Sequence, residues 1–182
     1  MKELIQEGKI KYWGISEVDE EYLRRAHKVC PVTVIQNRYS MLARQQEKLF
    51  SVCDELGITF VAYSPIANGF MSGAYDEKSQ FNEKGDYRSF MPQYKSDAIK
   101  SSENLMKELK KIADEKKATL VQLSLAWMLN KNKNIIPIPG SRKICRLEEN
   151  FHSSDIILTA EEIAKIDKLL DESHIPVFGV DK

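Results

Sequence analysis

The chain has 182 residues, of which 42% are hydrophobic and 30% charged, and its 27 Lys and Arg balance its 27 Asp and Glu. A chain of this length forms about one domain, with enough apolar residues for a sizeable core. The composition excludes a disordered chain, a collagen and a membrane bundle. A net charge of +0 argues against a bulk electrostatic attraction to nucleic acid or to an anionic membrane surface.

The three cysteines, Cys30, Cys53 and Cys145, are too few for a disulfide scaffold and lack a CxxC spacing. The first residues contain no apolar segment of the secretory type, and no stretch approaches the roughly 20 apolar residues of a membrane span. We therefore expect a cytoplasmic protein with reduced thiols.

Short apolar runs alternate with helical patterns along the chain. Four runs are typical of strands, at 11–15, 32–35, 58–63 and 135–138. The helix after the first run is predicted to bury one face, made of Tyr22, Leu23, Ala26 and Val29. This alternation predicts a parallel sheet of four βα units, and it leaves open whether the sheet is doubly wound or part of a barrel.

Local signals mark where several helices begin and end. Gly57 stands at a predicted helix C-terminus, where a positive φ is favoured. Two pairs have the spacing of a capping box, Thr119 with Gln122 and Thr159 with Glu162. The second pair opens a C-terminal helix, and an irregular tail is predicted after it, at 174–182.

Polar residues follow all four predicted strands, at 14–17, 36–39, 63–69 and 139–150. In parallel α/β proteins, ligands bind at the carboxyl ends of the strands, so these segments predict a site there. The polar stretch 69–97 is longer than an ordinary loop and is expected to border that site. Its aromatic residues would contact a ligand or pack within the loop: Tyr75, Phe81, Tyr87 and Phe90.

The segment after the fourth strand has the composition of an anion site. A Gly-Ser turn at 140–141 is predicted to open a short helix, whose free N–H groups favour an anion. Arg142, Lys143 and Arg146 add three cations, and the two arginines would share a helix face. Bidentate guanidinium binding suits a phosphate monoester. The alternative is a solvated basic helix start, balanced by acidic residues at 148–149. The isolated His27, His152 and His174 predict no metal site.

Four segments in order resemble the C-terminal half of an aldo-keto reductase of the bacterial kind: LIQEGKIKYWGIS, VIQNRYSML, GITFVAYSPIANGFMSG and IIPIPGSRKICRLEENF. They are similar to the family's strands five to eight and to the helix that holds its cofactor. The resemblance implies an α/β fold that is a partial TIM (β/α)8 barrel, with about four βα units, a C-terminal helix and a tail. Residues 1–182 would form the C-terminal half of this barrel, without the N-terminal catalytic half.

The resemblance also implies NADP(H) binding at the C-terminal rim, with roles assigned by position. Ser16 and Gln36 would hydrogen-bond the nicotinamide carboxamide, and Tyr63 would stack on the ring. Four residues would lie along the pyrophosphate, Ser64, Ile66, Asn68 and Gly69. Three would hold the 2′-phosphate, Ser141, Arg142 and Arg146. Two would hold the adenine, Glu149 and Asn150.

The chain departs from the family's pattern in two ways. Many members have Ser-Asn where this chain has Ser16-Glu17, so one carboxamide contact is lost. The family's catalytic Asp, Tyr, Lys and His lie on its first four strands, and no segment here matches those strands. No catalytic residue is therefore predicted, and Tyr12, Tyr22 and Tyr39 inherit no such role.

By resemblance, the complete enzyme reduces an aldehyde or ketone substrate to an alcohol with NADPH, and this chain supplies cofactor binding with little activity alone. The alternatives are a non-catalytic NADP(H)-binding or regulatory module and an inert truncated gene product. Half a barrel would expose two sheet edges and an apolar face, which predicts self-association or pairing with a separate N-terminal half. No nucleic-acid or membrane partner is expected.

Overall fold

A computed structural model describes residues 1–179 of the chain, and its centre is a four-stranded sheet. The strands are β1 (Gly14–Ser16), β2 (Val34–Arg38), β3 (Thr59–Tyr63) and β4 (Ile135–Pro137). All three pairings are parallel, and the strands lie side by side in chain order. The predicted sheet of four βα units is thus confirmed.

Residues 1–179 form seven α-helices, of which the first precedes the sheet: α1 (Lys2–Gln6), α2 (Glu20–Val29), α3 (Phe50–Leu56), α4 (Ser96–Glu115), α5 (Leu120–Lys131), α6 (Ile144–Phe151) and α7 (Ala160–Asp171). Five 3₁₀ turns complete the described part: Gln45–Leu49, Ala67–Ser72, Tyr87–Phe90, Pro92–Tyr94 and His152–Asp155. The tail is irregular from 174 to 179, and the last three residues of the predicted tail lie outside the described residues. Within residues 1–179, no helix has the length and apolarity needed to cross a membrane.

Alternation along the strands separates two faces of the sheet. Ile35, Phe60 and Ile135 are in register and fully buried beneath the helices. The intervening positions, including Gln36 and Ile136, point to the other face and stay exposed or half-buried. Only one face of the sheet is therefore fully buried, although the other face also carries apolar residues such as Val61 and Ile136.

Helix α5 lies at the centre of the packing, with Leu123 to Met128 buried without interruption. Its Trp127 is fully buried and stacks on the Tyr39 ring, with centroids 5.5 Å apart. Phe60 of β3 meets Tyr39 edge-on at 5.9 Å. Such aromatic pairs contribute beyond their buried area, and they join this helix to the sheet.

Both capping boxes form as predicted. Thr119 accepts from the Gln122 N–H at 3.1 Å, and the Gln122 side chain accepts from the Thr119 N–H at 3.0 Å. Thr159 and Glu162 make the same reciprocal pair at the start of α7. Gly57 ends α3 with φ +67°, the left-handed conformation that glycine adopts without a Cβ penalty.

The buried face of α2 differs from the predicted one. Tyr22 is 57% exposed and Val29 70% exposed, whereas Leu23 is fully buried and Cys30 is buried. The inward side is rotated toward His27, whose Nδ1 accepts from the Val32 N–H at 3.2 Å. The inward side is thus formed by Leu23, Ala26, His27 and Cys30, at helical spacing, and the hydrogen bond ties the end of α2 to the segment that leads into β2.

The long segment between β3 and α4 is an ordered loop rather than an open one. Tyr75, Phe81 and Tyr94 pack edge-on, with centroids 4.8 to 5.5 Å apart. Tyr87 and Phe90 are instead 57% and 82% exposed. The loop's aromatic residues thus divide between internal packing and an exposed surface.

Candidate functional site

The carboxyl ends of β1 and β2 bring Ser16 and Gln36 together. The two residues are register partners, and the Ser16 Oγ donates to the Gln36 carbonyl at 2.7 Å. Gly14 allows this close approach of β1 to β2, because a Cβ there would lie 2.4 Å from Val34 Cγ1. The Gln36 side chain is exposed on the open face of the sheet, where it is free to meet a ligand.

Tyr63, at the end of β3, lies near two residues of opposite charge, Arg38 and Glu17, whose charged groups do not form an ion pair with each other. The Arg38 guanidinium lies over its ring, 4.9 Å from the centroid, and Glu17 accepts from the Arg38 N–H at 2.9 Å. Partial burial, reinforced by the Glu17 charge and opposed by Arg38, raises the pKa of the Tyr63 phenol. Tyr63 therefore keeps its proton at neutral pH, which suits a stacking surface better than a poised acid.

The loop after β3 has an unusual backbone. Ser64, Ala67 and Asn68 have φ of +53°, +48° and +60°, and Gly69 has φ +97°. Left-handed conformations at non-glycine residues are unfavourable and concentrate at functional sites. Ile66 is half-buried at the start of the turn, and Tyr94 donates to the Asn68 carbonyl at 2.9 Å to hold its shape.

Asn68 carries an unsatisfied acceptor in this loop. Its Nδ2 donates to the Ser64 Oγ at 3.4 Å, whereas its Oδ1 is buried and has no hydrogen-bond partner within residues 1–179. A buried polar atom without a partner is unfavourable. A ligand hydroxyl, such as the ribose hydroxyls of a dinucleotide, would satisfy it.

The anion segment differs from its prediction at one point. Helix α6 begins at Ile144, because Lys143 is extended (φ −113°, ψ 127°), so Arg142 lies before the helix and does not share a helical face with Arg146. The turn is instead held by Ser141, whose Oγ accepts from the Lys143 N–H at 3.2 Å. Ser141 and both arginines still lie within six residues, around the uncapped N-terminus of α6.

Arg142 and Arg146 are exposed, and neither makes an ion pair with a residue in 1–179. The end of α6 is anchored instead, since the Gln122 Nε2 donates to the Glu149 carbonyl at 3.1 Å. Glu149 and Asn150 are half-buried there. The arrangement holds two unpaired cations at a helix N-terminus that is fixed to α5, which favours a phosphate.

A second cluster of Tyr, Lys and Asp lies inside the protein but lacks the properties of a catalytic group. Tyr39 donates to Glu47 at 2.8 Å, and the Lys131 Nζ bridges Glu47 at 2.7 Å and Asp167 at 3.0 Å. Burial, followed by the Glu47 charge, strongly raises the pKa of Tyr39. A phenol that holds its proton so tightly is a poor general acid, so this cluster has a structural role.

Three groups at the site received no role from the sequence: Glu17, Arg38 and Phe178. Arg38 lies two residues after Gln36 in β2, so strand alternation alone places both on one face. Phe178 belongs to the tail, and its ring lies 5.7 Å from the Arg38 guanidinium. A contact between residues 140 positions apart has no local sequence signal.

The chain is similar to known proteins along almost all of its length. The family model described as "Aldo/keto reductase family" matches residues 1–171. Aldo-keto reductase str7 of Strobilurus tenacellus is 41% identical over 97% of this chain and 53% of its own length. Aldo-keto reductase yakc of Schizosaccharomyces pombe, whose name carries the label NADP(+), is 35% identical over 96% of this chain and 52% of its own.

A solved aldo-keto reductase from Klebsiella pneumoniae, in complex with NADPH, superposes with a TM-score of 0.68 and 25% identity. The match covers 93% of this chain and 51% of that one. The chain thus spans about half the length of the relatives it matches, and its α/β fold corresponds to part of their barrel. The family model covers far more than half of the chain, and the chain therefore belongs to the aldo/keto reductase family.

Proposed function

We propose that the chain forms the NADP(H)-binding half of an aldo-keto reductase, which reduces an aldehyde or ketone to an alcohol. The observation that carries the proposal is the anion segment, where Arg142 and Arg146 flank the uncapped start of α6 without an ion-pair partner in 1–179. A 2′-phosphate matches this arrangement in charge and geometry. The NADP label of a relative and the NADPH-bound structure of another support the same cofactor.

The proposal assigns the other rim residues to the rest of the cofactor. The exposed Gln36 amide and the Ser16 hydroxyl meet the nicotinamide carboxamide, and Tyr63 supplies a ring face for stacking. The left-handed loop at 64–69, which includes Ser64, Ile66, Asn68 and Gly69, lies along the pyrophosphate. Glu149 and Asn150 approach the adenine.

When bound, NADPH supplies the hydride that reduces the carbonyl carbon. The rim residues hold and orient the cofactor, and Tyr63 fixes which nicotinamide face is open. Neither phenol discussed above is suited to protonate the carbonyl oxygen, since the pKa of Tyr63 is raised and Tyr39 is buried in a structural network. We therefore expect the chain alone to be a very poor reductase.

Partners and location belong to the same proposal. The open face of the sheet and both of its edges fit either self-association or a separate N-terminal half that carries the proton donor. The free thiols of Cys30, Cys53 and Cys145 are consistent with a cytoplasmic location.

Titration of the chain with NADPH and NADH, followed by Trp fluorescence, tests the cofactor assignment. Arg146→Ala should weaken NADPH binding about tenfold or more, because a charge-assisted contact to the 2′-phosphate is lost. NADH lacks that phosphate and should bind the variant almost as well as the native chain.

Arg25→Ala is the matched control, because Arg25 is also exposed but lies on α2, away from the rim. It should leave both affinities unchanged. An equal loss of NADPH and NADH binding in Arg146→Ala would contradict the 2′-phosphate role, and no measurable NADPH binding up to millimolar concentration would overturn the proposed function.

A further inference from the structure

Arg38, at the carboxyl end of β2, is enclosed by aromatic rings and backbone. Its guanidinium carbon lies 4.9 Å from the centroid of the Tyr63 ring and 5.7 Å from that of the Phe178 ring. The Gly179 backbone closes a further side, since a Cβ there would meet the guanidinium atoms at 3.0 to 3.1 Å. The head group is therefore largely withdrawn from water at the mouth of the proposed site.

The charge of this guanidinium has no counterpart in the described chain. Nη1 is buried and has no hydrogen-bond partner within residues 1–179, and no carboxylate of that range lies within 4.0 Å of the guanidinium nitrogens. Glu17 is close, but it accepts from the Arg38 backbone N–H rather than from the side chain. A cation withdrawn from water without an anionic partner is unfavourable, so the site favours an anion.

Arg88 shows how the same setting looks when the charge is paired. Its guanidinium carbon lies 5.4 Å from the Tyr75 centroid and 4.9 Å from the Phe81 centroid. Its Nε and Nη2 donate to the two Asp86 carboxylate oxygens, at 2.8 and 2.7 Å. Within residues 1–179, Arg38 has the two rings but no carboxylate, so a carboxylate is the group that would complete the same arrangement.

We propose that Arg38 binds the carboxylate of a carbonyl substrate, so that the enzyme prefers oxo acids to neutral aldehydes and ketones. The inference rests on the proposed function, in which Gln36 and Tyr63 hold the nicotinamide. The guanidinium offers paired N–H donors that match a carboxylate. Phe178 is 45% exposed, so this side of the guanidinium faces the solvent from which an anion would arrive.

The position of Arg38 also restricts the length of the substrate. Arg38 follows Gln36 by two residues on the same face of β2, which places it ~7 Å closer to the mouth of the site. The carbonyl carbon must lie at the nicotinamide while the carboxylate lies at Arg38. A short chain with its carbonyl several bonds from the carboxylate fits this separation better than a 2-oxo acid does.

Benzoate and benzamide, which have nearly the same shape and differ in charge, test the anion site on the chain as it is. NMR titration of the Arg38 Nε–Hε resonance should show a saturable shift with benzoate and little shift with benzamide. Arg38→Met should reduce benzoate affinity about tenfold or more, because the charge-assisted hydrogen bonds are lost. Arg38→Lys should bind benzoate with intermediate affinity, since lysine keeps the positive charge but lacks the paired N–H donors of the guanidinium.

Arg88→Met is the matched control, because it removes a stacked arginine whose charge Asp86 already neutralises, and its benzoate affinity should equal that of the native chain. Three outcomes would overturn the proposal. Benzoate and benzamide could bind equally, or Arg38→Met could bind benzoate with unchanged affinity. The third outcome is an Arg38 resonance that responds to inorganic phosphate but not to benzoate. Thermal melts check that each variant folds. If Arg38→Met does not fold, the comparison of the two ligands on the native chain decides.

The same samples separate this inference from the proposed function. Benzoate binding needs no cofactor, so loss of NADPH binding with retained benzoate selectivity rejects the reductase assignment alone. If the chain binds NADPH but does not distinguish benzoate from benzamide, only the Arg38 assignment is rejected.

Discussion

Lys131 is the residue on which the interior polar network depends. Its Nζ joins Glu47, before α3, to Asp167 on α7, and its side chain is only 17% exposed. It also lies 4.7 Å from the Trp127 ring. Asp167 in turn accepts from the Trp127 Nε1 at 3.0 Å and lies 3.7 Å from Arg44, so the ammonium group of Lys131 joins two carboxylates that also contact the aromatic core.

Lys131→Met should destabilise the chain by about 2 kcal/mol, because the partly buried Glu47 loses its cation and Asp167 keeps only its longer contact with Arg44, at 3.7 Å. Chemical denaturation at neutral pH measures the change. Arg24→Met is the matched control: Arg24 also contacts two carboxylates, Glu20 and Glu55, but on the surface. Its loss should cost much less, because exposed ion pairs are screened by solvent and contribute little to stability. If both variants lose a similar free energy of unfolding, the interior network stabilises the chain no more than a surface ion pair does.

The residues of the site differ in how far the sequence could predict them. Ser16, Gln36 and Tyr63 follow from strand alternation and from the resemblance, and the structure places all three at the carboxyl edge of the sheet. Their cofactor roles stay predictions. Arg38 lies on the same face, yet its cage depends on Phe178, which only tertiary folding brings near.

At the scale of elements, helix boundaries were predicted best where a side chain makes the boundary. Thr119 and Thr159 cap backbone N–H groups of their own helices, and Gly57 adopts the left-handed conformation that ends α3. These interactions involve residues close in sequence, so the local sequence is enough to predict the helix boundary. The start of α6 was predicted too early, because Lys143 stays extended behind the Ser141 turn. The inward side of α2 and its C-cap includes His27 and Cys30 in place of Tyr22 and Val29, because apolar character alone did not distinguish the two adjacent helical faces.

The two capping boxes should differ in how their contribution to stability changes as the pH is lowered. Glu162 accepts from Lys116 and from the Thr159 N–H, and these contacts lower its pKa below the ordinary value of 4.5. A lowered pKa stabilises the fold above the unfolded-state pKa, and this stabilisation is lost as the pH falls through the folded-state value. Gln122 holds the equivalent place in α5 and does not titrate.

Glu162→Gln should therefore destabilise the chain at pH 7 by up to about 1 kcal/mol, and the difference from the native chain should vanish as the pH is lowered through the folded-state pKa. Thr119→Ala should cost about 1 kcal/mol without this pH dependence. Denaturation curves from pH 7 downward measure both variants. A Glu162→Gln cost that is the same at every pH would contradict the ionic origin of the contact.

At the scale of the whole molecule, the sheet explains why pattern alone left the architecture open. Four parallel strands in chain order are compatible with an open sheet and with a barrel segment. The distinction lies in what covers the second face and the edge strands β1 and β4, and periodicity within the chain carries no information about that. The resemblance to the aldo-keto reductases indicates a barrel segment, and the match to longer members of that family supports it.

The surface around β4 and α6 is unusually apolar for a surface that faces solvent. On α6, Ile144, Leu147 and Phe151 are 75%, 49% and 74% exposed, and their spacing places them on one side of the helix. On the open face of the sheet, Ile136 is 52% and Ile138 45% exposed. Exposed apolar side chains on a helix and on an edge strand favour association.

The chain alone should therefore self-associate at micromolar concentration, which sedimentation velocity over a dilution series would show. Leu147→Glu should weaken the association about tenfold or more, because a carboxylate loses its hydration when the surface is covered. Phe90→Glu is the matched control, since Phe90 is 82% exposed but lies on the long loop, away from α6. If the native chain sediments as a single 20.9 kDa species at every concentration, the apolar surface does not drive self-association.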